Sequence, residues 1–266
     1  MKKRLDELVC LSRPDLSRTQ AQRLIMSGVV YVNNQKELKS GSMFAGDVKV
    51  EVRENRLRYV SRGGLKLEKA LKTFSIDLSG RICIDIGSST GGFTDCMLQN
   101  GAVRVYAVDS GTGQLHYKLR NDERVVVMER RNIRYVTTGD IKESCAFASV
   151  DVSFISLSLV LPAALPLLDD GKELVMLIKP QFEAGREKVG KKGVVRDPGV
   201  HAEVIRKIAD LAESSGLGVY GLTYSPVKGP EGNIEYLIHV GSGTAEPIRD
   251  KLIKNVVGEA HRELDR

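Results

Sequence analysis

The pattern that most constrains this 266-residue chain begins near residue 65. Short apolar runs (RICIDIG, RVYAVDSG, VVVMER, FASVDVSF and ELVMLIKP) are separated by helix-spaced segments such as FTDCMLQNG and HAEVIRKIADLAESSG. Strands alternating with helices predict an α/β fold with a mostly parallel, doubly wound sheet. Near-continuous apolar strands fit burial on both faces. SLSLVLPAALPLL reads as a helical or broken-helical run, and GVYGLTYSPV and NIEYLIHVG as closing strands. The tail, residues 244–266, reads as a helix.

Residues 1–60 read differently. Leu5, Leu8 and Val9 have helical spacing, and Ser17 is a candidate N-cap for RTQAQRLIMSG. VVYVNN and GDVKVEV read as strands, so the order is helix, helix, short strands. Residues 54–62 read as a charged connector, followed by a second domain over 61–243. Charge divides the same way. Residues 1–72 hold 16 Lys and Arg against 8 Asp and Glu, a net of +8, while the remainder holds 24 against 26. Such asymmetry suggests a basic module meeting a polyanion, joined to a near-neutral body.

The loop in ICIDIGSSTGGFT follows the first strand of the sheet, where open parallel sheets bind ligands. It lacks the Gly-Lys-Ser/Thr of a phosphate loop and the GxGxxG of dinucleotide binders. A nucleoside-like ligand without phosphates, such as S-adenosylmethionine, remains. The candidate contacts are Asp85, Gly87, Ser88, Ser89, Thr90, Gly91 and Gly92. Asp109, ending the second strand, can accept hydrogen bonds from ribose hydroxyls. Asn132, after the third, is a weaker candidate for an adenine contact, since Asn there is also turn chemistry.

Four polar residues stand where a core pattern does not need them. Lys66 precedes the first strand, Asp151 and Lys179 end the fourth and fifth, and Glu235 lies inside an apolar strand. Together they suit methyl displacement from a sulfonium onto a ribose 2′-hydroxyl, which needs alignment and loss of a proton. Burial and a second ammonium can make a lysine basic enough. Carboxylates would orient the lysines, and positioning would supply most of the rate.

The segments RLDELV, LSRTQAQRLIMSGVVYVNNQ and GDVKV resemble the αL RNA-binding motif of rRNA-modifying enzymes. That resemblance implies RNA contact by Arg4, Arg18, Arg23, Lys36 and Lys39, with Arg62 beyond. SRGGLKL, DIGSSTGGFTD, VDVSFISL, KPQFEAG, GVVRDP and SPVKGPEGNIEY occur in the order found in the TlyA family, which joins that motif to an FtsJ-like domain. The resemblance implies a Rossmann-like methyltransferase sheet with a small N-terminal α+β RNA-binding domain. It also implies a Lys66-Asp151-Lys179-Glu235 tetrad, with Lys179 central and Asp151 also touching S-adenosylmethionine. The implied substrate is a cytidine ribose of rRNA or ribosomal subunits. Where some members carry Arg-x-Trp-Val between the domains, this chain has Leu57-Arg58-Tyr59-Val60 and no tryptophan at all.

Two other readings stand beside this one. An RNA-binding factor without catalysis would bind RNA but no cofactor. A membrane-active haemolysin, a name some relatives bear, would need a membrane-binding stripe, and none is visible. The start lacks the apolar core of a signal peptide and no apolar window reaches transmembrane length, so a cytoplasmic protein is expected. Cys10, Cys83, Cys96 and Cys145 form no CxxC pair and suit reduced, structural thiols. His116, His201, His239 and His261 are dispersed, so no metal site is expected. AGREKVGKKGVVRD, residues 184–197, reads as a basic loop near the site that could clamp RNA. The sequence assigns no oligomeric state.

Overall fold

A computed structural model describes residues 2–53, 58–243, 245, 248 and 250–265. The chain divides into two compact units, 1–57 and 58–266.

The smaller unit runs β1 (Lys2–Arg4), α1 (Leu5–Ser12), α2 (Arg18–Met26), β2 (Val30–Val32), β3 (Gln35–Glu37), β4 (Met43–Ala45) and β5 (Val50–Val52). Ser17 does cap α2. Its hydroxyl accepts from the Gln20 amide while the Gln20 side chain accepts from the Ser17 amide, a reciprocal capping box. Leu5, Val9, Ala21, Ile25, Val30 and Val32 form its apolar core. The order expected from sequence missed β1, which precedes the first helix and pairs with β4. A three-residue charged strand carries no alternation to read.

The larger unit runs α3 (Gly63–Phe74), β6 (Ile82–Ile86), α4 (Gly92–Gln99), β7 (Arg104–Val108), α5 (Tyr117–Arg120), β8 (Val125–Met128), β9 (Phe147–Val150), α6 (Leu157–Ala164), β10 (Glu173–Ile178), α7 (Pro180–Glu183), α8 (Pro198–Ser214), β11 (Gly218–Tyr224), β12 (Tyr236–Gly241) and α9 (Asp250–Leu264). Its seven strands lie in the order β11-β12-β10-β9-β6-β7-β8. Five are parallel, and β12 runs antiparallel between β10 and β11. Both faces are covered, and β10 shows why its sequence is continuously apolar. Leu174, Met176 and Ile178 join the layer beneath α6, α8 and α9, while Val175 and Leu177 join the layer beneath α3 and α4.

Two expectations are corrected, and the tail is the helix expected. Of the expected charged connector, residues 58–62 belong to the larger unit. Tyr59 is buried in the α3 and α4 layer, and the Val60 amide donates to Asp95. Leu57 of the expected linker tetrapeptide lies outside the described residues. The tail helix α9 is part of the larger unit, burying Ile253, Val256, Val257 and Ala260 in its core. His201 and His261 are not dispersed: their Nδ1 and Nε2 lie 3.1 Å apart.

Candidate active site

Strand order reverses between β6 and β9, so a crevice opens beyond their carboxyl ends. There a cavity of about 820 Å³ is lined by Gly87 and Ser89 after β6, Asp109 after β7, Asn132 after β8, and residues 151–156 after β9.

The glycines in this loop serve a purpose the sequence did not suggest. Gly87 has φ +86°, and a Cβ there would run into the carbonyl oxygen of Asp151. Gly92 opens α4 so close to α3 that a Cβ would lie 2.8 Å from the Gly64 nitrogen. Both let protein backbones approach each other. Asp109 then fixes the loop, accepting the Ser89 amide on Oδ2 and the Gly111 amide on Oδ1, each at 2.7 Å. Each oxygen keeps capacity for a second hydrogen bond, and Asp109 lines the cavity.

Other predicted contacts stand back from the wall. Asp85, Ser88, Thr90, Gly91 and Gly92 do not line the cavity. Asp85 is fully buried and accepts hydrogen bonds from the hydroxyls of Thr94 at 2.6 Å and Ser149 at 2.8 Å. Burial pushes its carboxyl up to about 6 despite those bonds. Asn132 does line the cavity, but its side-chain oxygen also accepts the Arg134 amide, capping a 3₁₀ turn. Sequence reasoning missed Gln114, which lines the wall and accepts from the Ser89 hydroxyl at 3.2 Å. It also missed Glu129, which does not line the cavity but braces the backbone at Gln114; amides of residues 113–115 and Arg120 hold its carboxyl down to about 2. A pattern of apolar periodicity holds no signal for either.

Four titratable groups form a chain that meets the cavity at Asp151; Lys66, Lys179 and Glu235 do not line it. Lys179 Nζ lies 2.6 Å from Asp151 Oδ1 and donates to the Ser153 hydroxyl at 3.0 Å. Lys66 Nζ lies 2.6 Å from Glu235 Oε2 and 4.0 Å from Asp151 Oδ2. Both lysines and Glu235 are buried. The sheet brings them together. Asp151 follows β9 and Lys179 follows β10, while Lys66 sits in the first turn of α3. Glu235 is not inside its strand, as the sequence suggested; it immediately precedes β12. Because β12 is reversed, its start meets the end of β10. Ile178 pairs with Tyr236, so Lys179 and Glu235 are the next residues out. Phe154, 90% exposed at φ +63°, lines the cavity mouth and packs on Phe182. Glu183, buried, accepts the Leu157 amide at 2.7 Å and so braces α7 against α6.

An FtsJ-like methyltransferase family model matches residues 59–242. The chain belongs to the FtsJ-like methyltransferase family. An S4 domain model matches residues 3–43 of the smaller unit. The Bacillus subtilis protein provisionally named rRNA methyltransferase YqxC is 52% identical over 99% of this chain and 95% of its own. The Mycobacterium tuberculosis protein named 16S/23S rRNA (cytidine-2′-O)-methyltransferase TlyA is 40% identical over 93% and 92%. A solved structure from Streptococcus thermophilus, provisionally labelled a haemolysin, is 47% identical over 99% and 97%, with a TM-score of 0.78. The methyltransferase unit thus carries the α/β sheet, and an S4 domain precedes it.

In the S4 domain, Arg4 and Arg18 converge on the buried carboxylate of Asp6, at 3.0 and 3.2 Å, and Gln22 donates to it at 2.8 Å. They hold its carboxyl well below the usual range. Arg23, Lys36 and Lys39 are exposed and have no carboxylate partner among the described residues. Arg62, exposed, precedes α3 in the other unit. Among the described residues no His, Cys, Asp and Glu cluster is placed to hold a metal ion, and no helix is long and apolar enough to cross a membrane.

Proposed function

We propose that this methyltransferase moves a methyl group from S-adenosylmethionine to a ribose 2′-hydroxyl of rRNA, a cytidine by kinship with its TlyA relatives. The observation that carries the reading is the chain Glu235–Lys66–Asp151–Lys179, which meets the cavity at Asp151.

The donor set fits this cofactor. Asp109 offers paired acceptors for ribose hydroxyls. The loop of residues 87–92 has no lysine for a phosphate chain. The bound sulfonium would supply the electrophilic methyl. Lys179, in its amine form, would take the proton from the attacking 2′-hydroxyl at Nζ. Asp151 fixes that nitrogen, and Ser153 fixes it from a second side. Glu235 holds Lys66 so that its ammonium bears on Asp151. The exposed ring of Phe154 offers a stacking face for the base. Exposed cations of the S4 domain, Arg23, Lys36 and Lys39, would engage rRNA phosphates.

Transfer of a labelled methyl from S-adenosylmethionine to ribosomal subunits and naked rRNA tests the reading. Label in RNA, mapped to a ribose and lost with Lys179→Ala, is expected. Cofactor binding without label on any rRNA or particle overturns it.

A further inference from the structure

Beyond the catalytic cavity, the methyltransferase unit holds a second cleft of about 340 Å³, lined by Lys188, Gly190, Lys191, Lys192, Val194 and Arg196. It lies in the segment 184–197, which has five Lys and Arg against two acidic residues. One acidic residue, Asp197, is occupied in capping α8 through the Gly199 amide at 2.7 Å. Lys188 is paired with Glu203. Lys191, Lys192 and Arg196 are exposed and have no carboxylate partner among the described residues.

The segment is built rather than loose. The Gly193 amide donates to the Gly190 carbonyl at 2.8 Å, closing a turn whose two central residues are Lys191 and Lys192. The Gly190 amide donates to the Val194 carbonyl at 3.1 Å. Fully buried Asn233 grips the turn from below, accepting the Val195 amide at 3.0 Å and donating to the Gly193 carbonyl at 2.9 Å. Buried His201 grips it again. Its Nε2 lies 3.0 Å from the Val195 carbonyl, and a carbonyl only accepts, so that nitrogen carries the hydrogen. Its Nδ1 then accepts from the Tyr236 hydroxyl at 2.8 Å.

These anchors tie the turn to the tetrad. Asn233 is two residues before Glu235, a chain reach of about 7 Å at most, and Tyr236 follows Glu235 directly. The other end of the segment leaves α7, which begins next to Lys179. Two adjacent cations are therefore held in fixed register with the proposed site of methyl transfer.

We propose that the Gly190–Gly193 turn is a phosphate subsite for the RNA strand that carries the target ribose. The proposal rests on the ribose-methylation reading. Lys191 and Lys192 neutralise backbone phosphates beside the methylated nucleotide, and Asn233 and His201 are positioning residues for the turn.

The test uses the full chain, with Lys191→Glu/Lys192→Glu beside Lys191→Arg/Lys192→Arg. Binding of a fluorescent single-stranded oligocytidylate is followed across a salt series. Two lost phosphate contacts make the slope of log affinity against log salt shallower by about 1.4 in the Glu variant, at about 0.7 per contact. The Arg variant keeps the wild-type slope, and S-adenosylmethionine binding confirms that both variants are folded. In methyl transfer to ribosomal subunits, the loss appears in KM. A Glu variant with the wild-type slope overturns the subsite, and so does an Arg variant that loses as much. Wild type that binds RNA but methylates no rRNA overturns the function reading instead, and the slopes still decide the subsite.

Discussion

Lys66 and Glu235, 169 residues apart in sequence, are both buried and meet at 2.6 Å. Removing one partner of such a pair leaves the other charge without compensation. Glu235→Gln should therefore loosen Lys66 and, through it, Asp151. Methyl transfer should fall by roughly 10²-fold, and Lys179→Ala by up to about 10⁴-fold, the span typical of general acid–base groups. Isothermal titration with S-adenosylmethionine should give near wild-type affinity for Lys179→Ala. A Lys179→Ala enzyme that retains methyl transfer within a few-fold would remove Lys179 from the chemistry.

Much of this site is legible in the sequence. Strand ends can be read from where apolar runs stop, and Asp109, Asp151 and Lys179 stand at such stops. Glu235 was harder, because only the reversal of β12 brings a residue at a strand's start to the edge where the other strands end. Strand direction is a tertiary property and leaves no local trace. The role of Gly87 was equally hidden, since its neighbour is Asp151, distant in sequence. Tyr59 reads as linker because three aromatic or apolar residues, Leu57, Tyr59 and Val60, set among charges carry no periodicity.

Gly87→Ala provides a test of close packing. Gly193 has a comparable backbone, φ +72° against φ +86°, but a Cβ there meets nothing within 4 Å. Gly193→Ala should show only the left-handed strain of about 1 kcal/mol. Gly87→Ala adds a collision with the Asp151 carbonyl and should cost several times more, with weaker cofactor binding. At roughly 2–4 °C per kcal/mol for a unit of this size, thermal melts resolve the difference. Equal Tm shifts for the two variants would mean that Gly87 is not held against Asp151.

Asp6 organises the S4 domain. Its buried carboxylate gathers Arg4, Arg18 and Gln22, while the two arginines remain partly exposed. Asp6→Asn should destabilise this unit by roughly 1.5–3 kcal/mol, the range for hydrogen bonds to a charged group. The carboxyl titrates below its unfolded value, so its contribution is present at neutral pH and fades as pH falls below about 4. Hydrogen exchange of the α1 amides in the full chain should quicken in the variant at neutral pH, and the gap should narrow on acidification. An unchanged exchange rate at neutral pH would show that the arginines, not Asp6, set the local stability.

Asp85 should behave in the opposite way. Burial raises its folded value to about 6, above the unfolded value of about 3.9. The folded state therefore binds the proton more tightly. Stability from this group falls as pH rises from about 4 to about 6, and above that range the full penalty, about 3 kcal/mol, is present. Asp85→Asn removes the charge and keeps a partner for Thr94 and Ser149, whose hydroxyls can turn to donate or accept. The variant should melt several degrees above wild type near pH 8 and together with it near pH 4. Asp85 lies close enough to Asp151 for the two charges to repel, so the wild-type carboxylate is a destabilised group beside the proposed catalytic chain. Proteins keep such strain where activity needs it. Methyl transfer by Asp85→Asn should accordingly fall even as its Tm rises. A Tm gain of the same size at both pH values would show that the charge of Asp85 is not what the fold is resisting.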